Sequence, residues 1–196
     1  MKSIAHVILT GSILICLLIS NLSIQLSYAD TGELEKLAAE SETYCKTTAK
    51  EEPTSPNVII EKVNEACNII SKEGAEAFPK FKGNNSSFLF EGTYIWIHTL
   101  NGGKMLMHPI KYKMEGNVFI DLKDKNGKRF FSIMNNVVKE SGAGWVEYEW
   151  PVPGSSGFQR KISYIKGCKM PDGTDVVIGC GIYKYKDEDI NKLEIK

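Results

Sequence analysis

The sequence has 196 residues, 42% of them hydrophobic, with 24 basic and 24 acidic residues and a formal net charge of zero. These are ordinary globular values, enough for one domain with at most a helical extension. A balanced surface exerts no long-range pull on nucleic acid or anionic lipid, so polyanion-binding functions are excluded first and no nucleic-acid partner is expected.

Residues 1–29 do not read as fold. Lys2 is followed by an apolar run, Val7 to Ile19, and then by a more polar stretch ending Ser27-Tyr28-Ala29. This is the pattern of a secretory signal peptide cleaved after Ala29, which places the mature protein in the periplasm or outside the cell. The rival reading is an uncleaved membrane anchor. It requires Ser20, Asn21, Ser23 and Gln25 to be tolerated within a span that needs about 18 or more apolar residues. Cys16 is a poor lipoprotein site because the bulky Ile15 precedes it. No second apolar run follows Ala29, so a soluble mature protein is expected.

Residues 30–80 are expected to form an N-terminal helical segment. Across 32–50, Leu34, Leu37, Ala38, Ser41 and Cys45 recur at helical steps as one narrow buried stripe. The Glu-Glu-Pro-Thr-Ser-Pro stretch at 51–56 breaks this helix. Ser55 then caps a second one with Pro56 at its first position, and Ile59, Val63, Ala66, Cys67 and Ile70 form its apolar face.

Residues 81–196 are read as the sheet domain. Thr93–Thr99 and Lys104–His108 are strands joined by a turn at Asn101-Gly102-Gly103. A three-residue turn pairs Leu100 with Lys104 and sets His108 opposite Trp96. Asp124–Lys128 is turn-like. Phe130, Ile133, Met134, Val137 and Val138 mark a helix over Phe130–Ser141, ended by Gly142-Ala143-Gly144. Strands Trp145–Trp150, Arg160–Lys166 and Asp175–Tyr185 follow, and Asp187–Lys196 is left as a last helical turn or a frayed end. The fold class is therefore α+β, a PAS-like five-stranded antiparallel sheet with a long N-terminal helical segment packed against it.

Loss of a signal peptide would remove Cys16 and leave Cys45, Cys67, Cys168 and Cys180. An even number in an oxidising compartment suggests two disulfides, with three possible connectivities. Local pairing, Cys45 with Cys67 and Cys168 with Cys180, is preferred. It has a geometric weakness: a tight turn at Pro171-Asp172-Gly173 sets Cys168 opposite residue 176, leaving Cys180 about 13 Å along the strand. Connectivity stays open, with Cys180 reaching a helical cysteine as the alternative. Reduced core cysteines are the bland reading, and the spacing suits no zinc knuckle.

The catalytic signatures of hydrolases, P-loop and dinucleotide-binding enzymes are absent, and the mature region holds only His98 and His108. Glu147 and Glu149 share a strand face but read as a solvated surface pair. The acidic residues around Asp121, Asp124, Asn126 and Asp187 lack the spacing of a calcium loop. No enzyme activity, metal or cofactor is expected. Strand alternation instead sets Tyr94, Trp96 and His98 on one face and Val146, Tyr148 and Trp150 on another. Gly179 and Gly181 together leave room for a ligand or a close-packed helix. Such a concavity, ringed by aromatics with a His and a Lys, suits a small polar molecule.

Several ordered motifs carry a family resemblance: Gly92-Thr93-Tyr94-Ile95-Trp96-Ile97, Leu106-Met107-His108-Pro109, Gly144 to Pro151, Lys161-Ile162-Ser163-Tyr164 and Gly179-Cys180-Gly181-Ile182-Tyr183. Together they resemble the single Cache domains of bacterial chemoreceptors and sensor kinases. The resemblance implies a long N-terminal helix on a PAS-like sheet, with a pocket for a small carboxylate or amino acid. In that pocket Lys161, His108, Tyr94 and Tyr148 act as donors and Trp96 and Trp150 as walls. Receptors of this kind continue into a transmembrane helix and a signalling domain, whereas this sequence ends at Lys196. The expectation is a standalone module that reports to a separate membrane-bound receptor or sensor kinase. The competing expectations are a protein-interaction module with a vestigial pocket and a small periplasmic enzyme.

Overall fold

The computed structural model describes residues 31–186, together with Glu188 and Leu193. The signal peptide expected over 1–29 and most of the C-terminal turn expected over 187–196 lie outside the described residues. The chain divides into two compact units at Lys36 and Leu37. Of the first unit only 31–36 are described, and they are helical. No helix among the described residues is long and apolar enough to cross a membrane.

Helix α1 runs over 31–48. Helix α2, Pro56–Glu73, begins with its proline in the first turn and buries Ile59, Val63, Ala66, Cys67 and Ile70, the face that the spacing predicts. Its expected cap is corrected in one respect. Ser55 makes no side-chain capping bond, and it is the Ser55 carbonyl that accepts from the Ile59 amide at 3.2 Å. A 3₁₀ helix, Gly74–Phe81, leads to the sheet.

The strands are β1 (Leu89–Phe90), β2 (Thr93–Thr99), β3 (Met105–Met107), β4 (Ala143–Pro151), β5 (Phe158–Lys169) and β6 (Asp175–Ile182), with helix α3, Phe130–Ser141, preceding β4. All pairings are antiparallel, in the order β1-β2-β6-β5-β4, with β3 also on β2. This is the α+β sheet of the sequence reading, extended by the two-residue β1. The first hairpin differs in detail. The Thr99 amide bonds to the Lys104 carbonyl, while Leu100 turns its amide to Asp175. A register shift between Ile97 and His98 then restores Ile97 opposite Met107. The bulge absorbs the extra turn residue, so the expected alignment returns by the far end of the hairpin.

The sheet separates two apolar clusters. On one face α2 packs with Ile95, Ile97, Ile162, Ile178, Cys180 and Ile182. On the other, α3 packs with Tyr94, Trp96, Val146, Tyr148 and Val177. Gly142, at φ 74°, ends α3 in the left-handed conformation that glycine favours.

The preferred disulfide pairing is corrected. The bridge joins Cys67 on α2 to Cys168 on β5, with Cα atoms 5.9 Å apart, and Cys45 and Cys180 are free, buried thiols. The reason is register: Cys168 lies opposite Val176, so Cys180 is four residues further along β6. Cys180 and Cys45 each turn to Thr93, the former to its hydroxyl and the latter to its carbonyl. Burial pushes these thiols up, to about 11 for Cys180 and about 12 for Cys45.

Candidate binding site

Strand alternation on β2, β4 and β5 brings Tyr94, Trp96, Tyr148, Trp150 and Lys161 to one cavity, and the turn after β3 adds His108. Sequence reasoning missed Phe130 and Phe131, which complete the lining from the first turn of α3. The free volume is small, about 10 Å³, room for about one water. A larger cleft of about 50 Å³ lies between 49–54, Glu91–Thr93 and Tyr183–Lys184. Two of its charged residues, Lys50 and Glu91, already pair with each other, and its buried Thr93 and Tyr183 hydroxyls already donate to the Gly181 and Pro151 carbonyls.

Lys161 is the central group. It is 0% exposed, and its Nζ has no hydrogen-bond partner. The ammonium stands 4.1 Å from the Tyr94 ring centre, 5.0 Å from Trp96 and 4.9 Å from Tyr183. Tyr183, just past β6, belongs to a motif quoted above but was given no part in the site, because its place over Lys161 depends on where the end of β6 comes to rest. Burial pushes Lys161 down to about 7, against the opposing pull of the Cys180 and Cys45 thiols. Three faces of negative quadrupole stabilise a desolvated cation by about 2 kcal/mol or more, less than the several kcal/mol that losing its hydration costs.

The glycine pair on β6 has a role different from the expected ligand space. A Cβ at Gly179 would lie 2.3 Å from the Trp96 ring, and one at Gly181 would lie 2.3 Å from Lys161 Cε. The absent side chains make room for the site's own indole and lysine stem, not for a ligand directly or for a helix.

His108 is held as a neutral donor. Its Nδ1 accepts from the amides of Ile110 at 3.2 Å and Lys111 at 3.0 Å. An acceptor Nδ1 leaves the proton on Nε2. Burial, helped by Lys161, Lys111 and Lys82, keeps the ring well below its ordinary value and therefore uncharged. The backbone amide of His108 donates to Glu115 Oε1 at 2.7 Å. Glu115 in turn is ion-paired with the buried Lys82 at 2.7 Å. The ring therefore both caps its turn and faces the cavity.

The walls are fixed by polar contacts. Trp150 Nε1 donates to the Tyr94 hydroxyl at 3.0 Å. Tyr148 meets Ser163 Oγ at 3.1 Å and stacks on Phe130 with centroids 4.4 Å apart. Trp96 Nε1 is buried with no partner. His98 lies deeper on the same β2 face, bonded to Asn135 of α3 at 2.9 Å and edge-on to Phe131. Burial, opposed by that bond, lowers it to about 4. Glu147 and Glu149 pair separately with Arg160 and Lys125, and among the described residues no cluster of His, Cys, Asp or Glu is placed to hold a metal.

A methyl-accepting chemotaxis protein structure from Vibrio parahaemolyticus superposes with a TM-score of 0.52 at 19% identity, covering 66% of this chain and 85% of that one. A Cache chemosensory domain described for carboxylic acid recognition gives a TM-score of 0.49 at 28% identity, over 82% of this chain and 97% of that one. The methyl-accepting chemotaxis protein McpP of Pseudomonas putida is 39% identical over 90 residues, which cover 46% of this chain and 16% of that protein. The family model described as Cache domain matches residues 46–196, and the chain belongs to the Cache domain family.

Proposed function

We propose that this Cache domain senses a small monocarboxylate outside the cytoplasm and that a chemotaxis-type signalling partner reads its bound state. The observation behind this reading is a lining that offers donors and one cation but no carboxylate. Lys161 Nζ and Trp96 Nε1 are buried without partners, and His108 has its acceptor nitrogen already engaged. No Asp or Glu lines the cavity. Such a site offers a carboxylate charge-assisted bonds, the stronger kind. An amino acid would bring a second ammonium beside Lys161 with no carboxylate in the lining to receive it. Of the two expected ligand classes, the plain acid is therefore favoured. The named site residues bind and hold the ligand, and the reading includes no chemical step on it.

Isothermal titration with acetate, propionate and alanine tests this. Saturable binding of the two acids, weaker by at least about tenfold for the amino acid and lost in the Lys161→Ala/His108→Ala double variant, is the expected result. The small free volume favours a second reading, a protein-interaction module whose pocket is filled by its own aromatics. Flat titrations from a cooperatively folded protein would select it.

A further inference from the structure

Resting on the carboxylate reading, the surroundings of Lys161 carry one step more. The elements packed against its Nζ present Tyr94 and Trp96 from β2, Tyr148 from β4, Cys180 from β6 and Tyr183 just after it, Cys45 from α1 and His108 after β3. None is a carboxylate, and no ion pair involves Lys161 among the described residues. Buried lysines are ordinarily paired. This one is enclosed by aromatic rings and lacks a counter-ion, which a bound carboxylate would supply.

We propose that carboxylate binding is coupled to the uptake of one proton by Lys161, making the site a joint reader of carboxylate and acidity. A neutral lysine amine, a carboxylate and one proton from solvent become an ammonium–carboxylate pair, and no covalent bond other than the new N–H changes. Burial brings Lys161 down to about 7 in the empty site, so both of its forms are populated near neutrality. A carboxylate at hydrogen-bond distance favours the charged form and raises the group again. The other facing groups hold their state across this range. His108 stays neutral, with Lys82 and Lys111 also acting against its charge. Burial pushes the Tyr94, Tyr148 and Tyr183 phenols up, and the Cys45 and Cys180 thiols lie at about 12 and about 11.

Acetate is titrated into the protein at about pH 6 and about pH 9, each in two buffers of different ionisation enthalpy, so that proton uptake is read directly. Uptake near zero at the lower pH and near one at the higher is expected, with affinity falling about tenfold per pH unit above neutrality. Lys161→Arg, which stays charged throughout, is expected to abolish both the uptake and the slope. If that variant fails to fold by circular dichroism, the wild-type buffer pair alone decides. Binding at both pH values with neither uptake nor slope overturns the coupling and leaves the carboxylate reading standing. No heat with acetate or propionate at either pH overturns both.

Discussion

Gly181 and Lys161 lie so close that a Cβ on the glycine would stand 2.3 Å from the lysine Cε, and at the same distance from Ser163 Oγ. The bare position on β6 is what lets the lysine stem cross the sheet surface toward Tyr94 and Trp96. Gly181→Ala is expected to displace that stem, at an overpacking cost of about 1–3 kcal/mol, and to weaken acetate binding by at least about tenfold in a calorimetric titration. Gly173→Ala provides the control. Nothing lies within 4 Å of that position, whose φ is +87°, so it strains a turn remote from the cavity and leaves affinity unchanged.

Lys161 also sets a pH signature on the empty protein. Its folded value, about 7, lies below the roughly 10.4 of an unfolded lysine, so between these the unfolded chain binds more protons and stability rises with pH. The penalty is fully present below pH 7. Lys161→Met is expected to stabilise the protein by about 3–5 kcal/mol at pH 6, with the gain fading by about pH 10. Urea denaturation of both proteins across that range measures it. A constant difference would show that the lysine is not desolvated as described.

Acid acts through the histidines. His98 at about 4 and His108 well below its ordinary value refuse protons that an unfolded chain accepts from about pH 6.5 downward. Stability is therefore lost as pH falls through this window, at up to about 2.7 kcal/mol per pH unit for the two rings together. His98→Gln is expected to halve that slope in denaturation series between about pH 6 and pH 4.5.

The disulfide closes a sequence separation of 101. Cys67→Ser/Cys168→Ser is expected to cost about 2–5 kcal/mol, read as a lowered denaturation midpoint. Cys45 and Cys180 are buried and free, and burial raises both thiols. In the native protein they should resist a thiol reagent and react only on unfolding.

Local periodicity was legible to the residue. The apolar face of α2 and the limits of α3 follow from spacing alone, because neighbours along a helix decide them. The hairpin arithmetic likewise places Cys168 opposite Val176, which already argued against its bond to Cys180. Partnerships set by how α2 crosses the sheet were not legible. Nothing local to Cys67 announces Cys168, a hundred residues away. The same holds within the site. Alternation gathers Tyr94, Trp96 and Tyr148, whereas Tyr183 over Lys161 and Asn135 beneath His98 depend on where separate elements come to rest. Asn135 was further obscured by its place beside Asn136 in an apolar helical repeat, where polar residues read as surface.

The placement of the covalent bridge gives the two sides of the sheet different mechanical characters. Cys67 staples α2 to β5, so that side behaves as a rigid back plate. The opposite side has no covalent link: α3 rests there by apolar contact and by the bonds of Asn135 to His98 and to the Leu100 carbonyl, and α1 is tied to the loop after Trp150 by Glu42, which accepts from the Gly154 amide at 3.1 Å. The half that can yield is therefore the one carrying Trp150 and α3, not the one carrying the stapled helix.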